Sequence, residues 1–227
     1  MCFSATASFS LSAALIPVGI ACLKKAQAED RRYLPLAAFP LAFGIQQAIE
    51  GLVWVGLGAN DARLVALAAT GFVCFSHGFW LVWTPLTAAR VEGDRRRRQI
   101  WQTLTGIGLL YGLYFNLPIW LNLRQLAVSL HNHSLVYQLQ LWLYPTRSLV
   151  LLGYTLYVLT ILAPLVLSGD RHIQRLGGLV LVALLLTASF FSAGFISVWC
   201  FFAALVSLYV GYVFFQGLEP RPQPPLA

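Results

Sequence analysis

Few residues in this chain could do chemistry, and most of them lie where charge is expensive. Gln46, Gln47 and Glu50 interrupt an otherwise apolar run from 34 to 57. An ionisable group in hydrocarbon costs roughly 2.5 to 3.5 kcal/mol on insertion scales, so it needs a partner, a bundle interior or a water-filled cavity. Gln46 and Glu50 are four apart and share a helical face with Phe43 and Trp54, while His77 shares one with Thr70, Trp80 and Thr84. Two polar and aromatic faces of this kind could enclose a pocket.

Helical rise converts residue number into depth. Glu50 lies roughly 10 Å below the residue-57 end of its segment, and Asn116 roughly 8 Å below the residue-121 end of another. Gln46 and Gln47 lie roughly 15 to 16 Å down, and Ser76 and His77, counted from residue 62, roughly 21 to 22 Å. The expectation is a descending ladder, with Asn116 level with Glu50, then the glutamines, then His77. It serves two accounts of Glu50: an ion, proton or ligand site, or a structural clamp. In a clamp a protonated Glu50 bonds Asn116, or an ionised one is reached by Arg147 or Arg124. His77 likewise reads as a site residue or as a satisfied core histidine.

Several chemistries are excluded. Both lysines, Lys24 and Lys25, lie in the first link, so no late-helix lysine can carry a retinal Schiff base. Bis-histidine haem or three-ligand zinc needs several deep ligands, and only His77 is deep, with Cys74 one turn before it. His131 and His133 have a His-x-His spacing that binds metal only with further ligands, so neither metal nor cofactor is expected. Cys2 and Cys200 are the only cysteines whose depth and side permit a disulfide, the alternative being two free thiols. Cys22 and Cys74 read as small core residues.

The elements that position these residues follow from composition. Of 227 residues 59% are hydrophobic and 10% charged, against about 25% charged in a soluble domain. Apolar segments recur near 10–24, 34–57, 62–89, 99–121, 148–168, 173–193 and 195–216, each near or above the roughly 17 to 25 residues that a spanning helix needs. The fold class expected is all-α: a polytopic membrane bundle of seven transmembrane helices forming one domain over 1–217, with a disordered proline-rich tail at 218–227. The link 122–147 is too apolar for an open loop and too short to span. It reads as an outer interfacial helix or re-entrant segment with Trp142 and Tyr144 at headgroup level.

Charge distribution sets the threading and excludes a nucleic-acid partner. Twelve of the 15 Lys and Arg residues fall in alternate links and the tail, leaving Arg63, Arg124 and Arg147 on the other side. The positive-inside rule then puts the amino terminus outside and the carboxyl terminus in the cytoplasm, with Arg95 to Arg98 a topology anchor near anionic lipid. Nothing basic precedes residue 24, so the first apolar run reads as a retained helix, not a signal peptide. Pro17, Pro40, Pro85, Pro118 and Pro164 sit within spans, as kinks or as breaks around a transport site. Gly108, Gly112 and Asn116, and Ser197, Cys200, Ala204, Ser207 and Gly211, form stripes suited to close helix packing.

The opening MCFSATASF, then ALIPVGI, LPLAAFPLAFGIQQAIEGLVW at 34–54 and SVWCFFAA at 197–204 resemble a family of uncharacterised bacterial multi-pass membrane proteins. The resemblance covers most of the chain and implies no activity, substrate or cofactor; it places Cys2, Gln46, Glu50 and Cys200 in the shared blocks. Three functions compete. The first is a transport-like or sensor-like bundle in the plasma (inner) membrane that binds a small molecule or ion at an outward-facing polar site around Glu50, with Gln46, Gln47, Asn116 and His77. The second is an intramembrane enzyme acting on a lipid or quinone, with Glu50 or His77 as acid or base. The third is a structural subunit of a membrane complex, held to a protein partner or a second copy. All three keep the lipid bilayer as the main surrounding.

Overall fold

The computed structural model describes residues 4–131, 133–139, 147–191 and 194–217, and of 147–150 only the backbone. The chain is almost entirely helical. Helix α1 (Ala5–Glu29) starts at Ser4, whose hydroxyl accepts from Ala7 N. It ends at Asp30, whose carboxylate takes Arg32 N and leads through a short 3-10 turn. The expected segment 34–57 is broken into α2 (Leu34–Ala37) and α3 (Phe39–Gly58). Pro35 and Pro40 each fall in a first turn, where the missing N–H costs no hydrogen bond. Pro40 therefore starts a helix instead of kinking one.

Helix α4 (Ala62–Cys74), capped by Asp61, passes through a π-helical turn, Phe75–Phe79, into α5 (Trp80–Val91). Asp94 caps α6 (Arg95–Leu121), and after the β-hairpin described below come α7 (Arg147–Val166) and α8 (Arg171–Phe190), the latter capped by Asp170. Helices α9 (Phe195–Val206) and α10 (Leu208–Gln216) meet at Ser207.

Among the described residues, six helical runs are long and apolar enough to cross a membrane: Ala5–Glu29, Arg31–Gly58, Ala62–Val91, Arg95–Leu121, Arg171–Phe190 and Phe195–Gln216. Helix α7 adds a shorter apolar stretch, Leu151–Val166. Leu110 is 70% exposed and Phe190 74%, and such outward-facing apolar side chains need lipid around them. This is the make-up of a multi-pass membrane protein.

Where lipid is the solvent, helices must gain stability by close approach. A Cβ on Gly108 would lie 2.0 Å from Leu81 O, and one on Gly112 3.1 Å from Gly78 Cα. The glycine stripe of α6 is thus the seam against α5 and the π-turn. Gly19 does the same for α1 on α3, where a Cβ would lie 2.3 Å from Leu41 N.

The link after α6 differs from expectation. Residues Leu126–His131 (β1) and Ser134–Leu139 (β2) pair antiparallel, with Val128 opposite Tyr137 and His131 opposite Ser134. It is a hairpin in place of an interfacial helix or re-entrant segment. Leu126, Leu135 and Tyr137 turn inward onto Val53, Ala68, Phe72 and Ile119, while Ala127, Ser129 and Gln138 are exposed. Period-two burial suits a strand lying over one end of the bundle, because one face is covered and the other open. Trp142 and Tyr144 lie outside the described residues, as does the tail 218–227.

The opposite end is tied by two buried carboxylates. Glu92 accepts from Gly93 N, Asp94 N and Gly169 N, and Tyr33 donates its hydroxyl to Asp170 at 2.5 Å. Three links carrying the basic residues are thereby held together.

Candidate functional site

Helix α3 presents Gln46, Gln47 and Glu50 inward, and Glu50 is only 1% exposed. Its Oε2 accepts from Gln47 Nε2 at 3.1 Å, one turn back on the same helix. Its Oε1 accepts from Ser197 Oγ at 2.5 Å, across to α9. Among the described residues no cation pairs with it. Two neutral donors thus answer a buried carboxyl group, and the second joins segments 147 residues apart.

Around this pair several polar atoms are buried without a hydrogen bond among the described residues: Gln47 Oε1, Trp54 Nε1 and Tyr137 Oη. Tyr137 comes from the hairpin, stacks on Phe72 with ring centroids 4.6 Å apart, and is close enough to feel the charge of Glu50. Burial first, then Glu50 and Cys200, pushes the Tyr137 phenol well above its ordinary value, so it stays a neutral donor. Unpaired buried donors and acceptors each carry a desolvation cost of about 1–3 kcal/mol.

Below Glu50 the two expected faces do meet. Gln46 Oε1 accepts from Trp80 Nε1 at 2.7 Å, and Phe43 stacks on Trp80 at 4.0 Å between centroids. Between them lies a cavity of about 30 Å³, lined by Phe43, Trp80, Thr84, Tyr157, Trp199 and Cys200 among others. That volume is about one water molecule's share of the liquid. It admits no organic ligand.

His77 sits mid-way through the π-turn, 2% exposed. Its Nδ1 shares a hydrogen bond with Ser76 Oγ at 2.9 Å, and its ring lies against Phe115 and Tyr157. Switching from four-residue to five-residue pairing and back leaves carbonyl groups underused. Side chains from neighbouring helices supply the donors: Tyr157 Oη to Ser76 O at 2.6 Å, and Asn116 Nδ2 to His77 O at 3.2 Å, the same Nδ2 also bonding Gly112 O of its own helix at 2.8 Å.

Asn116 therefore joins His77 and not Glu50, and the depth ladder needs correcting. Counting from residue 62 took the helix ends as level. They are not: Ala68, Ala69 and Phe72 of α4 pack beside the hairpin, which sits beyond the end of α6. Helix α4 starts higher than α6 stops, so His77 meets Asn116. The arginine alternatives for Glu50 fare differently, since no ion pair from Arg124 reaches it and the side chain of Arg147 lies outside the described residues.

Cys2 lies outside the described residues, and with it the candidate pairing to Cys200. His133 stands in a left-handed turn conformation, φ 59°. Among the described residues no three His, Cys, Asp or Glu side chains gather as a metal site.

Two partners of Glu50 escaped sequence reasoning. Ser197 belonged to a stripe read as packing alone. Tyr137 was hidden in an apolar run whose alternation of inward Leu126 and Val128 with Leu135, Tyr137 and Leu139, about a two-residue loop, was the available hairpin signal. Outside Tyr137 lies a groove of about 440 Å³ lined by Leu135, Tyr137, Tyr154, Val158, Phe195 and Ile196 among others. Ile196, in its wall, directly precedes Ser197 on α9.

A family model described as a family of unknown function (DUF6629) matches residues 1–224. No curated protein and no solved structure matches the chain.

Proposed function

The chain belongs to this family of unknown function, and we propose that it is a transport-like membrane bundle that binds a small molecule or ion at Glu50. Gln47, Ser197 and Tyr137 complete the site, Gln46 supports it from below, and His77 and Asn116 hold the π-turn beneath. One observation carries this reading: a buried carboxyl group with neutral donors but, among the described residues, no counter-ion lies beside Gln47 Oε1, Trp54 Nε1 and Tyr137 Oη, which have no hydrogen bond among those residues. A clamp would be cheaper in apolar residues, because a buried charge without a counter-ion carries several kcal/mol of effective desolvation cost. A proton, a cation or a compact hydrogen-bond donor arriving at Glu50 relieves that cost. The groove outside Tyr137 is the approach, with the Tyr137 ring as its inner wall.

The same proposal includes the threading. Helix α7 completes seven spans in a single bundle, with the amino terminus and hairpin outside a bacterial plasma membrane and the carboxyl terminus in the cytoplasm. The concentration of 12 of the 15 Lys and Arg residues in alternate links and the tail supports it.

The test is purification in mild detergent with mass spectrometry of copurifying small molecules and ions, for the native chain and for Glu50→Gln. Loss of one bound species from a folded Glu50→Gln protein is the expected result. Unchanged bound species with lowered thermal stability would instead make Glu50 a clamp.

A further inference from the structure

A second feature lies on the other face of α7 from the Glu50 groove, which Tyr154 and Val158 wall. Helices α6 and α7 each pack on α5 but barely on one another. The cleft between them has a volume of about 590 Å³ and is walled by Leu104, Ile107 and Tyr111 from α6 and Leu156, Leu159 and Ala163 from α7, among others. Its lining is apolar, as a lipid tail requires. From Leu104 to Tyr114 the cleft follows ten residues of helix, roughly 15 Å, which is half of a hydrocarbon core about 30 Å thick. That is the depth of one leaflet. Near its far end the Tyr111 hydroxyl donates to Gly153 O at 2.8 Å and bridges the two helices.

The near end is strongly basic. Arg97, Leu104 and Tyr111 are seven residues apart and lie along one face of α6, so the line of the cleft runs back to the arginine cluster. Arg95 to Arg98 are all exposed, and among the described residues no carboxylate pairs with any of them. One turn in from them, Trp101 is buried against Ala88, Ala89 and Leu104 with its indole N–H unpaired. An apolar slot about 15 Å long, bridged at Tyr111 and continued along the same face of α6 to exposed arginines about 10 Å beyond its near end, matches one kind of molecule.

We propose that the α6–α7 cleft binds an anionic phospholipid of the leaflet on the arginine side. One acyl chain lies between Leu104 and Tyr111 on one wall and Leu156 and Ala163 on the other, and Arg97 and Arg98 receive the phosphate. A zwitterionic lipid has the same tail but no net charge to offer the arginines. The mouth therefore sets the preference, and the slot sets the residence.

The test uses the intact chain in nanodiscs of equal parts phosphatidylglycerol and phosphatidylcholine, followed by native mass spectrometry of the lipids retained on release. The native chain is expected to keep phosphatidylglycerol over phosphatidylcholine. Each arginine that meets an anionic headgroup is worth about a fivefold change, so Arg97→Ala with Arg98→Ala should cut phosphatidylglycerol retention about tenfold or more. Lys24→Ala with Arg31→Ala removes the same charge from α1 and the turn after it, neither of which lines the cleft, and should leave retention unchanged. Ala163→Trp fills the slot and should lower retention of both lipids; Ile107→Trp serves if that variant does not fold. Equal retention of the two lipids by the native chain overturns the proposal. So does undiminished retention in a folded slot-filled variant, which would reduce the arginines to a diffuse basic surface.

Discussion

Replacing Ser197 by alanine tests whether the second and seventh apolar segments are joined through Glu50. Ser197 Oγ is buried and donates to Glu50 Oε1 at 2.5 Å. A hydrogen bond to a charged group contributes about 1.5–3 kcal/mol, and one between neutral groups about 0.5–1.5 kcal/mol. For a chain of this size each kcal/mol shifts the melting temperature by about 2–4 °C, so Ser197→Ala should lower it by several degrees. Ser207→Ala is the control: its hydroxyl bonds only locally, to Ala204 O, and leaves no carboxyl group stranded. The assay is thermal unfolding in one detergent for the native chain, Ser197→Ala, Glu50→Gln and the double variant. Residues in direct contact couple by about 0.5–3 kcal/mol in such a cycle. Coupling below about 0.3 kcal/mol would refute the reasoning, because the two side chains would then act independently and the tie between α3 and α9 would carry no energy.

Two further outcomes follow from the packing. Gly108→Ala places a methyl group 2.0 Å from Leu81 O and should cost about 1–3 kcal/mol or more through overpacking; Gly178→Ala meets nothing within 4 Å and should stabilise by about 0.5–1 kcal/mol. Thermal melts of the pair check both signs. Tyr157→Phe removes the donor to Ser76 O and should cost about 1–3 kcal/mol, read by the same melts and by loss of backbone protection at the π-turn in hydrogen exchange.

Much of the fold could be read from the residues, and the reasons are local. A segment of some twenty apolar residues has few alternatives to a helix when water is absent, because every backbone group must be satisfied within the segment. The Gly108, Gly112 and Asn116 stripe was legible for the same reason: small residues four apart form a flat face whatever lies opposite. The hairpin was not read as such, although its alternation was present, because its strands are short and apolar enough to pass for membrane-facing helix. At the site, the residues suggest two polar and aromatic faces that could enclose a pocket; in the structure Gln46 and Phe43 of one meet Trp80 of the other, while Glu50 meets Ser197. That last pairing was not legible in the residues.

That division has a physical cause. Hydropathy and helical periodicity are properties of neighbours in the chain, so the apolar helical make-up, the burial of Glu50 and His77, and the glycine seam follow from the order of residues alone. Which side chain answers another depends on where helices begin in space, how they tilt and what covers their ends. Glu50 could equally have met Asn116 by depth alone, yet it meets Ser197, because the hairpin lies beyond the end of α6 and α4 rises beside it. The same offset brought His77 to Asn116, and a π-turn of five residues exposed the carbonyl groups that Tyr157 and Asn116 satisfy. Only the tertiary structure decided these pairings, since each needs two segments placed to within a hydrogen bond's length by contacts elsewhere in the bundle.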